Sequence, residues 1–170
     1  MSESAPQGHD DFGRRVHLLF SPRFDGIQNL SFPEGSFVVL IGGPTLNVSV
    51  DEIYATAEVL LQKGAVYIMC WGQGAQRLED IIDEADAMKS IGDSSAGVVM
   101  TTAHEHHSLG EVLEFATTMA IPAAPLARSC QDVVLIFHGN VNPYNEAHNL
   151  LEDMLSPSPR QREEKASNQD

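Results

Sequence analysis

Residues 101–116, TTAHEHHSLGEVLEFA, hold three histidines and three glutamates in sixteen positions. Neutral imidazoles bind zinc, nickel or copper, and a carboxylate can complete such a shell. His104, Glu105, His106 and His107 are therefore the first candidates for chemistry, and His138 closes another apolar run. In extended chain His104 and His106 point to one side. The helical metal motif H-E-x-x-H needs its histidines one turn apart. HEHH has a different spacing, it precedes its helix, and no second ligand cluster follows. No metal site and no cofactor are expected. The simplest reading is a polar loop whose histidines are solvated or cap backbone groups.

Two glycine turns are the next candidates. WGQGAQR (71–77) follows an apolar run and opens a helical stripe, as a dinucleotide-binding turn does. Gly72 and Gly74 take the first two positions of G-x-G-x-x-G. Arg77 stands at the third, where glycine would permit close helix–strand packing. A helix N terminus here could still face a phosphate, but a tight turn explains the glycines as well. Gly42 and Gly43 close an earlier run before Pro44. GDSSAG (92–97) has one serine too many for G-x-S-x-G and precedes a strand, so it reads as a loop.

The carboxylates divide by helical phase. Ser108 and Glu111 form an S-x-x-E capping box, which gives Glu111 a structural role. The apolar stripe of the same helix is Leu109, Val112, Leu113, Ala116 and Ala120. Glu114 is rotated from it by about 140°, at roughly 100° per residue, toward solvent.

The elements that must position these groups alternate along the chain. SFVVLIGG, AVYIMCWG, AGVVMTT and DVVLIFHG are short apolar runs ending in glycine or polar residues. Such runs suit strands buried on both faces. VHLLF (16–20) is a further strand, at an edge. Between the runs lie amphipathic stripes from Val50, Ala75 and Leu109, and a fourth helix near Asn142-Pro143 with an Asn cap and Pro at its first position. Ser49 with Glu52 caps the first helix and Gly64 ends it. Alternating strands and helices predict an α/β fold: one three-layer Rossmann-like, flavodoxin-like domain with a mostly parallel sheet of about five strands. Ligands in such sheets bind beyond the strand carboxyl ends. The expected ligand-binding set is Gly42, Gly43, Trp71, Gly72, Gly74, Thr102, His104, His138 and Asn140.

The totals bound the partners. A chain of 170 residues, 42% hydrophobic and 20% charged, supports one domain with a real core. Residues 14–155 are its expected extent, after a flexible arm (1–13) and before a disordered tail (156–170). A formal net charge of −14 repels phosphate backbones and anionic membrane surfaces, so neither nucleic acid nor membrane is an expected partner. Cys70 and Cys130 form no CxxC pair and read as reduced thiols. With no apolar signal core and no spanning run, a cytoplasmic protein is expected.

Two resemblances add to this. SLGEVLEFATTMAIP resembles a segment of nucleoside deoxyribosyltransferase-like and TIR-like enzymes, matched at Gly110, Glu114, Ala116 and Pro122, and LIGGPTLN resembles their first glycine-proline turn at Gly43 and Pro44. The order of elements agrees over 37–137. The resemblance implies an N-glycosidase in which Glu114 attacks the sugar or stabilises its cation. Ser95-Ala96 stand where those enzymes carry an aspartate, and their tyrosine after the glutamate is missing. CWGQGAQRLEDIIDEAD together with TTAHEHHSLGEVLEFA resembles an uncharacterised bacterial α/β family, a domain of unknown function, over most of 15–154. That resemblance implies no activity.

The leading expectation is a module that binds a nucleotide-like small ligand or a protein partner at the strand carboxyl ends. The alternatives are an N-glycosidase using Glu114, with Glu105 as a second catalytic candidate, and a metal-dependent enzyme using the 104–107 loop. Oligomeric state is not written in the chain.

Overall fold

The computed structural model describes residues 6–93 and 97–155. Six strands form one sheet: β1 (Gly8–His9), β2 (Arg15–Ser21), β3 (Phe37–Gly42), β4 (Ala65–Trp71), β5 (Met100–His104) and β6 (Asp132–His138). Their spatial order is β1-β2-β6-β3-β4-β5. The β1–β2 pair is antiparallel and every other pair is parallel. Four helices, α1 (Val50–Lys63), α2 (Ala75–Lys89), α3 (Leu109–Thr118) and α4 (Val141–Met154), flank the sheet. The fold is thus a mostly parallel, Rossmann-like α/β layer structure.

The strands read as continuous apolar runs because helices cover both faces. Val39, Ile41, Ile68, Cys70, Val134 and Ile136 face one core with α1 and α2. Val38, Leu40, Met69, Val133, Leu135 and Phe137 face the other with α3 and α4. The period of two along β3, β4 and β6 sorts the side chains between the layers. Ile53 and Leu60 of α1 are fully buried, each contributing about 1.5–3 kcal/mol relative to exposure.

Local chemistry starts and stops the helices. The capping boxes at Ser49–Glu52 and Ser108–Glu111 are both formed, and Gly64 ends α1 in the left-handed region at φ 110°. At α4 the cap is Asn140 rather than Asn142. Its side chain accepts from the Asn142 amide, so Pro143 is the third helical residue, not the first. In the first turn Pro143 still forfeits no intrahelical bond.

Further expectations shift: β2, read as an edge strand, lies between β1 and β6. Residues 8 and 9 of the N-terminal arm join the sheet as β1, and Asp10 folds the following turn. β5 begins at Met100, several residues later than the apolar run suggests, so His104 is its last residue and not part of a loop. Residues 94–96 of GDSSAG, including Ser95 and Ala96, and the tail 156–170 lie outside the described residues.

β6 inserts between β2 and β3. β3 leads into α1 on one face of the sheet, and the adjacent β6 leads into α4 on the other. The carboxyl ends of β3 and β6 therefore form the topological switch point, the place at which sheets of this kind bind ligands.

Candidate functional site

Register aligns the carboxyl ends. Ser21 pairs with His138, Gly42 with both Phe137 and Trp71, and Trp71 with His104. Trp71, His104, Glu105 and His138 thus share one edge of the sheet. The Trp71 ring stands edge-on to Phe137 at 6.1 Å.

His138 lies at the switch point itself. It is 4% exposed, and its Nε2 has no hydrogen-bond partner among the described residues. The ring packs edge-on to Phe24, 5.1 Å between centroids. Above it runs the turn after β3. Gly43 has φ 139°, and a Cβ there would lie 2.7 Å from His138 Nε2 and 2.8 Å from its carbonyl oxygen. Glycine is required here by backbone conformation and by the close approach of the imidazole. Burial lowers the pKa of His138 to about 4, so the ring is neutral at pH 7. Pro44 and Leu46 follow β3, Asn140 and Val141 follow β6, and all four are exposed.

A second imidazole sits three strands away. His104 is 6% exposed; its Nε2 lies 2.9 Å from Thr102 Oγ1, and its Nδ1 is unpartnered. Phe115 of α3 and His107 pack on the ring at 4.7 and 5.0 Å. Burial, then the neighbouring His107, lowers its pKa. His106 does not share this side: the chain leaves the strand after His104 and turns, which exposes His106. Among the described residues no group of three His, Cys, Asp or Glu side chains converges as a metal shell.

The turn after His104 is tied to the rest of the edge. Trp71 Nε1 donates to the His107 carbonyl at 2.9 Å. Glu105 accepts from the Gly74 amide at 3.0 Å, placing a carboxylate at the N terminus of α2. That is where an anion is favoured by the helix dipole. Glu105 is thus a helix-terminal acceptor, and the anion at this terminus comes from the chain itself.

The Gly72–Gly74 turn has a packing explanation. The Gly43 amide donates to the Trp71 carbonyl, and the Thr45 amide to Gln73. A Cβ on Gly72 would lie 3.0 Å from the Gly43 carbonyl oxygen, and one on Gly74 would lie 2.9 Å from the Leu46 amide. Arg77, where the third glycine of the fingerprint would be, donates to the Thr45 carbonyl at 3.1 Å. The two turns are knitted together, and the glycines allow the approach.

Glu114 is exposed, in agreement with its helical phase. Glu111 is the cap of its own helix, and its bonds to the Ser108 amide and hydroxyl hold its carboxyl below the usual range. Both thiols are free and buried, Cys70 in one core and Cys130 in the other. Phe24 and Thr45 were not legible as site residues. Phe24 lies in an irregular stretch after β2, and only the insertion of β6 beside β2 brings it against His138.

A family model described as "Domain of unknown function (DUF7684)" matches residues 21–154. That span contains every element of the strand-end site, from Ser21 to Asn140. No curated protein matches the chain.

Proposed function

The chain belongs to the DUF7684 family, and we propose that it is a binding module whose ligand, an uncharged polar molecule of nucleoside size, enters the crevice between the β3 and β6 turns. The carrying observation is His138: a buried, neutral imidazole with an unpartnered Nε2 at the switch point. An orphaned buried polar group costs about 1–3 kcal/mol, so a stable fold keeps one where something else uses it.

Charge argues for an uncharged ligand. Each helix N terminus already holds an acceptor from the chain: Glu52 and Ser49 at α1, Glu105 at α2, Glu111 and Ser108 at α3, Asn140 at α4. A phosphate at α2 would have to displace Glu105, in a chain of formal charge −14. Gly43 covers His138 Nε2, so binding requires the Gly43-Pro44 turn to move aside.

The chain just beyond the two strands favours a second reading. Leu46, four residues after β3, and Val141, three after β6, are 49% and 44% exposed. Exposed apolar side chains also suit a protein partner. The glycosidase and metal-enzyme readings gain no comparable support, since Glu114 and His106 are exposed.

The test is a screen of nucleosides, free bases and sugars, read from the imidazole resonances of His138. A ligand should shift them, and His138→Phe should weaken its binding at least about tenfold by removing the ring nitrogen that it would bond. If no class moves His138 while partners engage Leu46 and Val141, the second reading stands instead.

A further inference from the structure

At the opposite end of the sheet, a cleft of about 340 Å³ lies between the turn after β1, the end of α3 and the segment entering β6. Its volume is within the range of small-molecule sites. Phe12, Ile121, Pro122 and Ala127 supply apolar walls, and Phe12 and Ile121 are both exposed toward it. Among the described residues no aspartate or glutamate lines it, although the chain has 24 of them. Two arginines do.

The two arginines differ. Arg14 is saturated: it donates to Asp10 Oδ2 and to the carbonyls of Ala116 and Ala120. Its charge is matched by Asp10. Arg128 ends a short 3-10 turn (Leu126–Arg128) and is exposed. Of the five arginines among the described residues, Arg14, Arg15 and Arg23 pair with carboxylates and Arg77 bonds a carbonyl. Arg128 has neither kind of partner among the described residues. In so acidic a protein, a cation beside apolar walls without a local carboxylate is the exception.

From this geometry we infer a second binding site, independent of the strand-end crevice, for an organic monocarboxylate with an apolar body. One unmatched positive charge calls for one negative charge. The planar guanidinium takes a carboxylate through two parallel bonds. Phe12, Ile121 and Pro122 would hold the apolar body, which excludes inorganic phosphate and other wholly polar anions as good ligands.

The test titrates the full chain with 1-naphthoate and with its neutral analogue 1-naphthalenemethanol, following backbone amides by NMR. Naphthoate should shift the amides of Phe12, Gly13, Ala127 and Gln131, and the alcohol should bind at least about tenfold more weakly, as loss of a charge-assisted bidentate pair implies. Arg128→Gln, at an exposed position, should reduce naphthoate affinity to that of the alcohol without changing the alcohol's own. Ile121→Ser should weaken both ligands. Naphthoate binding undiminished in Arg128→Gln, shifts confined to the strand carboxyl ends, or no shift at millimolar naphthoate would each overturn the site.

Discussion

The two ends of the sheet treat buried polar groups in opposite ways. At the amino ends every buried charge is satisfied. Asp10 accepts from the Phe12 and Arg14 amides and from Arg14 Nε, while Arg14 donates to the Ala116 carbonyl in the last turn of α3 and to the Ala120 carbonyl just after it. Asp132, at the start of β6, is held by Arg15 at 2.8 Å and His17 at 2.7 Å. At the carboxyl ends, His104 and His138 each leave a ring nitrogen without a partner. A saturated network rigidifies a fold, whereas an orphaned group is a standing cost that a ligand or a movement can relieve. The bonds of the amino ends hold the domain together, and the carboxyl ends carry the two unrelieved ring nitrogens.

The largest effect should come from breaking the saturated end. Arg14→Ala leaves Asp10 charged and buried and exposes the Ala116 and Ala120 carbonyls to an unfilled site. It should cost about 3–5 kcal/mol, read from urea unfolding. A loss below 1 kcal/mol would mean that the Asp10–Arg14 pair is no more structural than the unpartnered imidazoles.

Acid should act first at the other end. The folded pKa of His138 is lowered from 6.5 to about 4 by burial, and burial lowers that of His104 too. Between pH 6.5 and about 4 the unfolded chain therefore binds a proton that the native ring does not. Stability is complete above this window and falls as pH drops through it, by about 3 kcal/mol for His138 at the lower edge. Asp132 behaves in the other sense. Burial raises its pKa, but the bonds from His17 and Arg15 outweigh that, and the net shift is downward. Its contribution is present above the ordinary carboxylate range and disappears only as pH falls through its depressed value. Unfolding followed from pH 7 to 4.5 should thus show a decline that His138→Phe flattens. If the decline is unchanged in that variant, the carboxyl-end histidines are not the acid-sensitive element.

The smallest effect is expected on the exposed face of α3. Glu114→Gln should change stability by no more than about 0.5 kcal/mol, and the wild-type chain should release neither a base from nucleosides nor nicotinamide from NAD. Release that vanishes in Glu114→Gln would move the functional centre from the crevice to the helix.

Much of the fold was legible because it is written in short-range spacing. Ser49–Glu52 and Ser108–Glu111 are contacts three residues apart, so a capping box seen in the chain is nearly the structure itself. The runs that became β3, β4 and β6 are apolar throughout because two helical layers cover them. The Val50, Ala75 and Leu109 stripes began at the residues where α1, α2 and α3 begin. β5 was placed too early: residues 97–99 are apolar enough to read as strand, yet ladder pairing to β4 starts only at Tyr67↔Met100. At the site, the placement of Trp71, His104 and His138 at one end of the sheet followed from each residue closing a parallel strand. The roles of Glu105 and Arg77 did not, because their partners, Gly74 and Thr45, are 31 and 32 residues away.

The sequence by itself determined the class of the fold, the helix boundaries marked by caps and the end of the sheet at which the glycines and histidines collect. All of these rest on periodicity and on bonds that span a turn or less. Only the tertiary structure decided that β6 enters between β2 and β3. That single placement sets the switch point at Gly43 and His138 and turns Phe24 onto the imidazole. Strand order is decided by how helices of given length and apolar face cover the sheet as a whole, and no local spacing along the chain records it.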